Sequence, residues 1–142
     1  GINSKSSKNS RSFPLDLFEN ICKFKKIKLF NLQKNTSNHD FFKHKIEVLS
    51  FDNFDQNELF QDSKALIENL DLVITCDTSI AHLAASMHKP TWVLLNDVPD
   101  WRWFLNSSKS LWYKNILLFR CEKKDDWTQP KHQIENSLYK YK

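Results

Sequence analysis

Glycine is almost missing from this chain. Of 142 residues, the only glycine is Gly1. The G-x-G-x-x-G dinucleotide fingerprint and the G-x-x-x-x-G-K-[ST] loop both need several glycines for close approach of backbone to phosphate, so both are excluded. Any phosphate site here must use another device. Cysteine is sparse as well: Cys22, Cys76 and Cys121 are odd in number, widely spaced, and form no C-x-x-C pair. That argues against a zinc site or a disulfide framework, and reduced thiols in a cytoplasmic setting fit best. No apolar run approaches the ~20 residues that span a bilayer. The opening GINSKSSKNSRS is polar throughout and does not read as a signal peptide. Charge of one sign is also not concentrated. The net charge is +4 and the pI about 8.9, with small basic clusters around Lys23–Lys28 and at Lys123–Lys124. No continuous Lys/Arg stripe tracks a nucleic-acid backbone, so solvated surface is the simpler reading and no nucleic-acid partner is expected.

What is present suits one soluble domain with its own core: 40% of residues are hydrophobic and 27% charged. Beyond the polar start, Pro14 favours a helix entry, and Leu17, Phe18, Ile21 and Phe24 fall at helical spacing. Lys26 to Leu32 alternates like a strand, and Ile46 to Phe51 reads as a second short one. Asp62 has the character of an N-cap for DSKALIENL. Leu72 to Cys76 is a β-branched run without polar alternation, as suits a strand buried on both faces. Ile80, Leu83, Ala84 and Met87 then sit at i, i+3, i+4 and i+7, an amphipathic helix stopped by Lys89-Pro90. TWVLL (91–95) is another fully apolar strand. Ile116 to Phe119 is a further strand, and Ile134, Leu138 and Tyr141 mark a closing helix. Helix, strand, strand, helix, strand, helix, strand, strand, helix argues for an α/β fold: Rossmann-like, a mainly parallel sheet with helices on both faces.

The run LVITC ends abruptly in Asp77-Thr78-Ser79, followed by His82. In open α/β sheets, ligands bind beyond the carboxyl ends of strands. A helix that starts there points free N–H groups and the positive end of its dipole at the same place, a natural anion site. Thr78 and Ser79 add hydroxyl donors, and His82, one turn in, adds an imidazole. This is a phosphate cradle that needs no glycine. Asp77 repels phosphate and reads better as an acceptor that caps the helix or orients His82. The alternative is capping alone, since Asp, Thr and Ser all favour helix starts.

The segment VPDWRWFLNSSKSLWYKN carries Trp101, Trp103, Phe104, Trp112 and Tyr113. Such aromatics either form a platform for a base or sugar, with Arg102 available to phosphate, or fill the space under a long loop. The remaining histidines, His39, His44, His88 and His132, have no metal-ligand spacing.

Read together, DLVITCDTSIAHLAASMHKPTWVLL, VPDWRWFL, SLWY and LLFR closely resemble the C-terminal half of bacterial glycosyltransferases that often follow tetratricopeptide repeats. Those are related to the heptosyltransferase-like family nine and, more distantly, to O-linked N-acetylglucosamine transferases. NSRSFPLDLF resembles the RS-x-P-L entry to that half. The resemblance covers nearly the whole chain and is strongest from Asp71 to Trp103.

It implies one half of a GT-B architecture, with residues 1–142 as the C-terminal nucleotide-sugar-binding domain. It also implies a donor diphosphate held by Asp77, Thr78, Ser79 and His82. Basic residues of the loop after the domain's first strand face the donor phosphates in relatives; here these are Lys5, Lys8 and Arg11, with Arg11 preferred for its RS context. The loop carrying the tryptophans lies next to the donor site in that family, which makes Asp100 and Arg102 cleft residues. No metal and no cofactor are implied, because a helix N-terminus and basic groups neutralise the leaving diphosphate. The family's N-terminal domain, which carries acceptor site and catalytic base, is absent from this sequence. The chain is therefore expected to be a fragment that is inactive alone, partnered in the full-length protein by that domain or by tetratricopeptide repeats. The alternative is a non-catalytic α/β module that binds a nucleotide or a protein.

Overall fold

The computed structural model describes residues 12–21, 27–33, 41, 43–51, 53–56 and 59–141. Among them, a 3-10 helix (Leu15–Phe18) leads to strands β1 (Leu29–Phe30) and β2 (Val48–Leu49). Helix α1 (Gln61–Glu68), strand β3 (Val73–Cys76), helix α2 (Ser79–Ser86) and strand β4 (Thr91–Leu95) follow. A short 3-10 helix (Trp101–Trp103), strand β5 (Ile116–Arg120) and helix α3 (Thr128–Lys140) complete the order. β1 pairs with β2 in parallel, and β3, β4 and β5 form a second parallel sheet in that order. The fold is α/β and Rossmann-like, as the alternation of elements requires.

The apolar strands are buried on both faces because helices cover both. Alternate residues of β4 point opposite ways. Val93 and Leu95 pack with Ala81 and Ala85 of α2 and with Trp103, Ile116 and Leu118. Trp92 and Leu94 face the other way, toward Ile134 and Leu138 of α3, Phe119, and Leu17 and Ile21 of the N-terminal segment. Helix α1 adds Ile67 to a third cluster with Val73 and Ala84. All five residues of β4 are buried, which explains why TWVLL has no polar alternation.

Three sequence expectations change in detail. The first helix is a single 3-10 turn at Leu15–Phe18, with residues 22–26 outside the described ones. The early strands shrink to two residues each, Leu29–Phe30 and Val48–Leu49. Asp62 is not the N-cap of α1. Phe60 holds that position with φ 66°, in the left-handed region, and caps nothing with its side chain. The capping acceptor comes instead from Asp55, whose carboxylate takes Ser63 N–H at 3.1 Å and also the Ser63 hydroxyl. Asp62 returns the favour by accepting Asp55 N–H at 2.6 Å.

The end of α2 shows what a glycine-poor chain must do. His88 adopts φ 60°, its N–H bonds to Ala85 C=O at 3.0 Å, and Lys89 N–H bonds to Ala84 C=O at 3.0 Å. That is a Schellman closure with histidine where glycine is usual. Pro90 then follows, as the sequence suggests. No helix among the described residues is long and apolar enough to cross a membrane.

Candidate functional site

The three strands of the larger sheet run parallel, so their carboxyl ends lie along one edge. Asp77-Thr78-Ser79 leaves β3 there, the turn Asp100–Trp103 follows β4, and Arg120 is the last residue of β5. Ligands of open α/β sheets bind at this edge.

At the β3 end, Thr78 is the N-cap residue of α2, in extended conformation, and its side chain makes no capping bond to the helix. Its hydroxyl lies 3.1 Å from that of Thr75 and 3.4 Å from Cys76 C=O, to which it donates. The first turn closes through Ala81 N–H to Thr78 C=O at 3.0 Å. Ser79, first residue of the helix, is exposed. Asp77 is buried, 6% exposed, and makes a polar contact within the fold, as a buried carboxylate must. The start of α2 therefore presents Ser79 to solvent, with Thr78's side chain turned back onto the strand end.

His82 is half-buried, and its position is set by the long connection between β4 and β5. Its ring stacks on Trp103, centroids 5.3 Å apart and planes 21° apart, and Nδ1 lies 3.2 Å from the Tyr113 hydroxyl. Trp103 is fully buried, at 0% exposure. Stacking and this contact orient the ring, with the Nδ1 edge toward Tyr113 and the Nε2 edge the one that can serve a further partner.

The aromatic segment divides. Trp103 fills the core, as the space-filling reading expects. Trp101 and Trp112 are 69% and 57% exposed and meet edge-on at 6.3 Å. Trp112 Nε1 donates to Arg102 C=O at 3.1 Å, tying the loop to itself. Asp100 caps the 3-10 turn by accepting Arg102 N–H at 3.1 Å, and its other oxygen pairs with Arg102 Nη2 at 3.3 Å. The Arg102 guanidinium lies 5.9 Å from the Trp101 ring centroid.

The structure thus brings Thr78, Ser79 and His82 to one helix start, and Asp100 and Arg102 to the turn after the neighbouring strand. Lys5, Lys8 and Arg11 lie outside the described residues. Among those described, no three His, Cys, Asp or Glu side chains gather where a metal ion would be held. The sequence pointed to Tyr113 only as one of the loop's aromatics and to Arg120 only as the end of LLFR, and it assigned neither a contact. Tyr113 holds His82, and Arg120 Nη2 donates to Trp103 C=O at 3.2 Å. The available signal for the second was an arginine at the carboxyl end of an otherwise apolar strand. Burial lowers Arg120 below the ordinary guanidinium value, but a guanidinium keeps its charge in proteins.

Residues 59–109 match the family model of glycosyltransferase family 9 (heptosyltransferase). The matched stretch is similar to a glycosyltransferase. It runs from the turn before α1 through β3, α2, β4 and the tryptophan-bearing turn, so it contains Asp77, Thr78, Ser79, His82, Asp100, Arg102 and Trp103. It is just over a third of the chain, narrower than the resemblance read from the sequence, and it stops short of Tyr113 and Arg120. Comparisons with curated proteins and with solved structures find no significant match.

Proposed function

We propose that this chain is the donor-binding part of a glycosyltransferase, holding a nucleotide-diphosphate sugar at the carboxyl edge of the β3–β4–β5 sheet. One observation carries the reading. The stretch similar to glycosyltransferase family 9 contains the helix start after β3, whose N-cap residue Thr78 makes no side-chain capping bond, and the imidazole held one turn in. In glycosyl transfer the bond between the sugar's anomeric carbon and the diphosphate oxygen breaks, and the electron pair stays on that oxygen. N–H and O–H donors aimed at the growing negative charge stabilise the departing group. The α2 dipole, the Ser79 hydroxyl and His82 Nε2 supply such donors here. Asp77, which is buried, serves the architecture of the strand end rather than the phosphate.

In this reading residues 1–142 are the nucleotide-binding half of a GT-B enzyme of bacterial type. The acceptor site and the base that activates the acceptor belong to an N-terminal domain, with tetratricopeptide repeats as the accompanying module. Arg11, Lys5 and Lys8 add positive charge to the same donor. The chain works in the cytoplasm, where nucleotide sugars are available, and alone it binds donor without transferring it.

A thermal-shift screen of the chain against UDP-, ADP- and GDP-sugars tests this, because a ligand that binds only the folded state raises its melting temperature. One nucleotide class is expected to stabilise the chain, and His82→Ala is expected to weaken its binding about tenfold or more, the size of a hydrogen bond to a charged group. No shift with any of the three classes, together with no binding by calorimetry, overturns the assignment.

A further inference from the structure

Three nitrogen donors are buried with no acceptor among the described residues: Arg102 Nε, Trp103 Nε1 and Arg120 Nη1. They share one neighbourhood. Arg102 and Trp103 are consecutive in the turn after β4, and Arg120, at the end of β5, donates through its other terminal nitrogen to Trp103 C=O at 3.2 Å. Trp103 in turn stacks on His82, so this neighbourhood adjoins the start of α2. Asp100 does not answer the shortage: it reaches Arg102 through Nη2 and leaves Nε unpaired.

The sign of the imbalance is informative. A buried donor without an acceptor is unfavourable, and around Trp103 the unpartnered atoms are all donors, whereas the other unpartnered buried atom among the described residues, Asp16 Oδ1, belongs to the N-terminal 3-10 helix. A group that only accepts, a phosphate or carboxylate, meets such donors with the strongest hydrogen bonds. Both arginines are only half-buried, and the torsions of a long side chain can turn an inward N–H outward. For Arg120 that turn sacrifices nothing at Nη1, which has no partner to lose, while Nη2 stays anchored to Trp103 C=O.

Resting on the donor-binding reading above, we infer that Arg120 is an anion-binding residue of the cleft: anchored through Nη2, it turns Nη1–H to a phosphoryl oxygen of the nucleoside diphosphate, with Arg102 beside it. The diphosphate would then be gripped from two strand ends, by the α2 start after β3 and by the guanidinium at the end of β5. That explains how a chain without a glycine-rich loop gathers enough positive potential.

Calorimetric titration of the full chain with UDP, ADP, GDP and inorganic diphosphate tests the inference against Arg120→Met, with unbound uridine, adenosine and guanosine as phosphate-free probes. The variant is expected to lose at least tenfold in affinity for every diphosphate that the wild type binds. Its affinity for a phosphate-free nucleoside should be unchanged. Arg120→Lys keeps the charge without the fork and is expected to fall between, which keeps the inference testable if the methionine variant does not fold. Nucleotide binding by the wild type with undiminished binding by the variants overturns the role of Arg120 and leaves the donor site standing. Binding of inorganic diphosphate that depends on Arg120, without binding of any nucleotide, keeps the anion site and overturns the nucleotide-sugar reading. Binding of no diphosphate at all overturns both.

Discussion

His82 and Tyr113, thirty-one residues apart in the chain, meet with Nδ1 and the phenolic oxygen 3.2 Å from one another. The contact joins the first turn of α2 to the loop that precedes β5. When the phenol donates to Nδ1, the ring proton resides on Nε2, the tautomer that can donate to a phosphoryl oxygen. Trp103 beneath the ring holds it in plane. Tyr113 and Trp103 thus fix the orientation of the His82 ring, and a phenol that donates to Nδ1 selects the tautomer suited to the proposed phosphate contact.

Tyr113→Phe separates orientation from packing. It deletes the oxygen and keeps the ring against the Val93, Leu95 and Trp103 cluster. Folding stability is expected to fall by about 1 kcal/mol, the net worth of one hydrogen bond. Affinity for the nucleoside diphosphate identified by thermal shift should fall roughly threefold to tenfold as His82 loses its contact at Nδ1, a change of about 1 kcal/mol in binding. Urea denaturation reads the first and calorimetry the second. Wild-type affinity in the variant would show that the tautomer is not set by this contact.

Asp55 and Ser63 make a second long-reaching pair. Both are buried, and the Asp55 carboxylate satisfies a backbone N–H in the first turn of α1 together with the Ser63 hydroxyl. Asp55→Ala leaves two buried donors without their acceptor and is expected to destabilise the fold by about 1–3 kcal/mol. Asp55→Asn keeps one acceptor oxygen and should cost less. Urea midpoints for the three proteins decide the order; an alanine variant as stable as wild type would remove this contact from the account of α1.

Cys121 gives the chain an alkaline limit. Burial first, and then the nearby carboxylates of Asp126, Asp97 and Asp125, push its thiol up to about 12 from an ordinary 9.0. The folded state therefore holds this proton more tightly than the unfolded chain does. The resulting contribution to stability is complete below about pH 9 and drains away as pH climbs toward 12. The stability difference between wild type and Cys121→Ser should accordingly shrink, or reverse in favour of serine, across that range when followed by urea denaturation. At pH 8 the folded thiol should resist an aromatic disulfide reagent that labels it promptly in denaturant. Prompt labelling of Cys121 in the native chain would contradict the buried, protonated state.

The architecture was legible because its signals are local. LVITC and TWVLL lack polar alternation, and only a strand covered on both faces tolerates that; β3 and β4 are such strands. The i, i+3, i+4, i+7 pattern after Ser79 is periodic over one short window, and it marks α2. The abrupt polar turn Asp77-Thr78-Ser79 marks a strand's carboxyl end. Capping was less legible. Asp62 has a capping residue's chemistry, but the acceptor that caps α1 is Asp55, eight residues before the Ser63 that it serves. No local rule ranks a distant carboxylate above a nearer one when the intervening turn passes through left-handed Phe60.

Composition and periodicity alone determined that this chain builds a parallel α/β sheet without a glycine phosphate loop, and that one strand ends in hydroxyls and an imidazole. Tertiary structure decided which aromatics are core and which are surface, sending Trp103 inward and leaving Trp101 and Trp112 outside. It also decided that Tyr113 holds His82, and that Arg120, level with Leu95 across the sheet, reaches back to the Trp103 carbonyl. The reason is physical. Strand register and the path of the β4–β5 connection set those neighbours, and both emerge only when every strand has found its place beside the next.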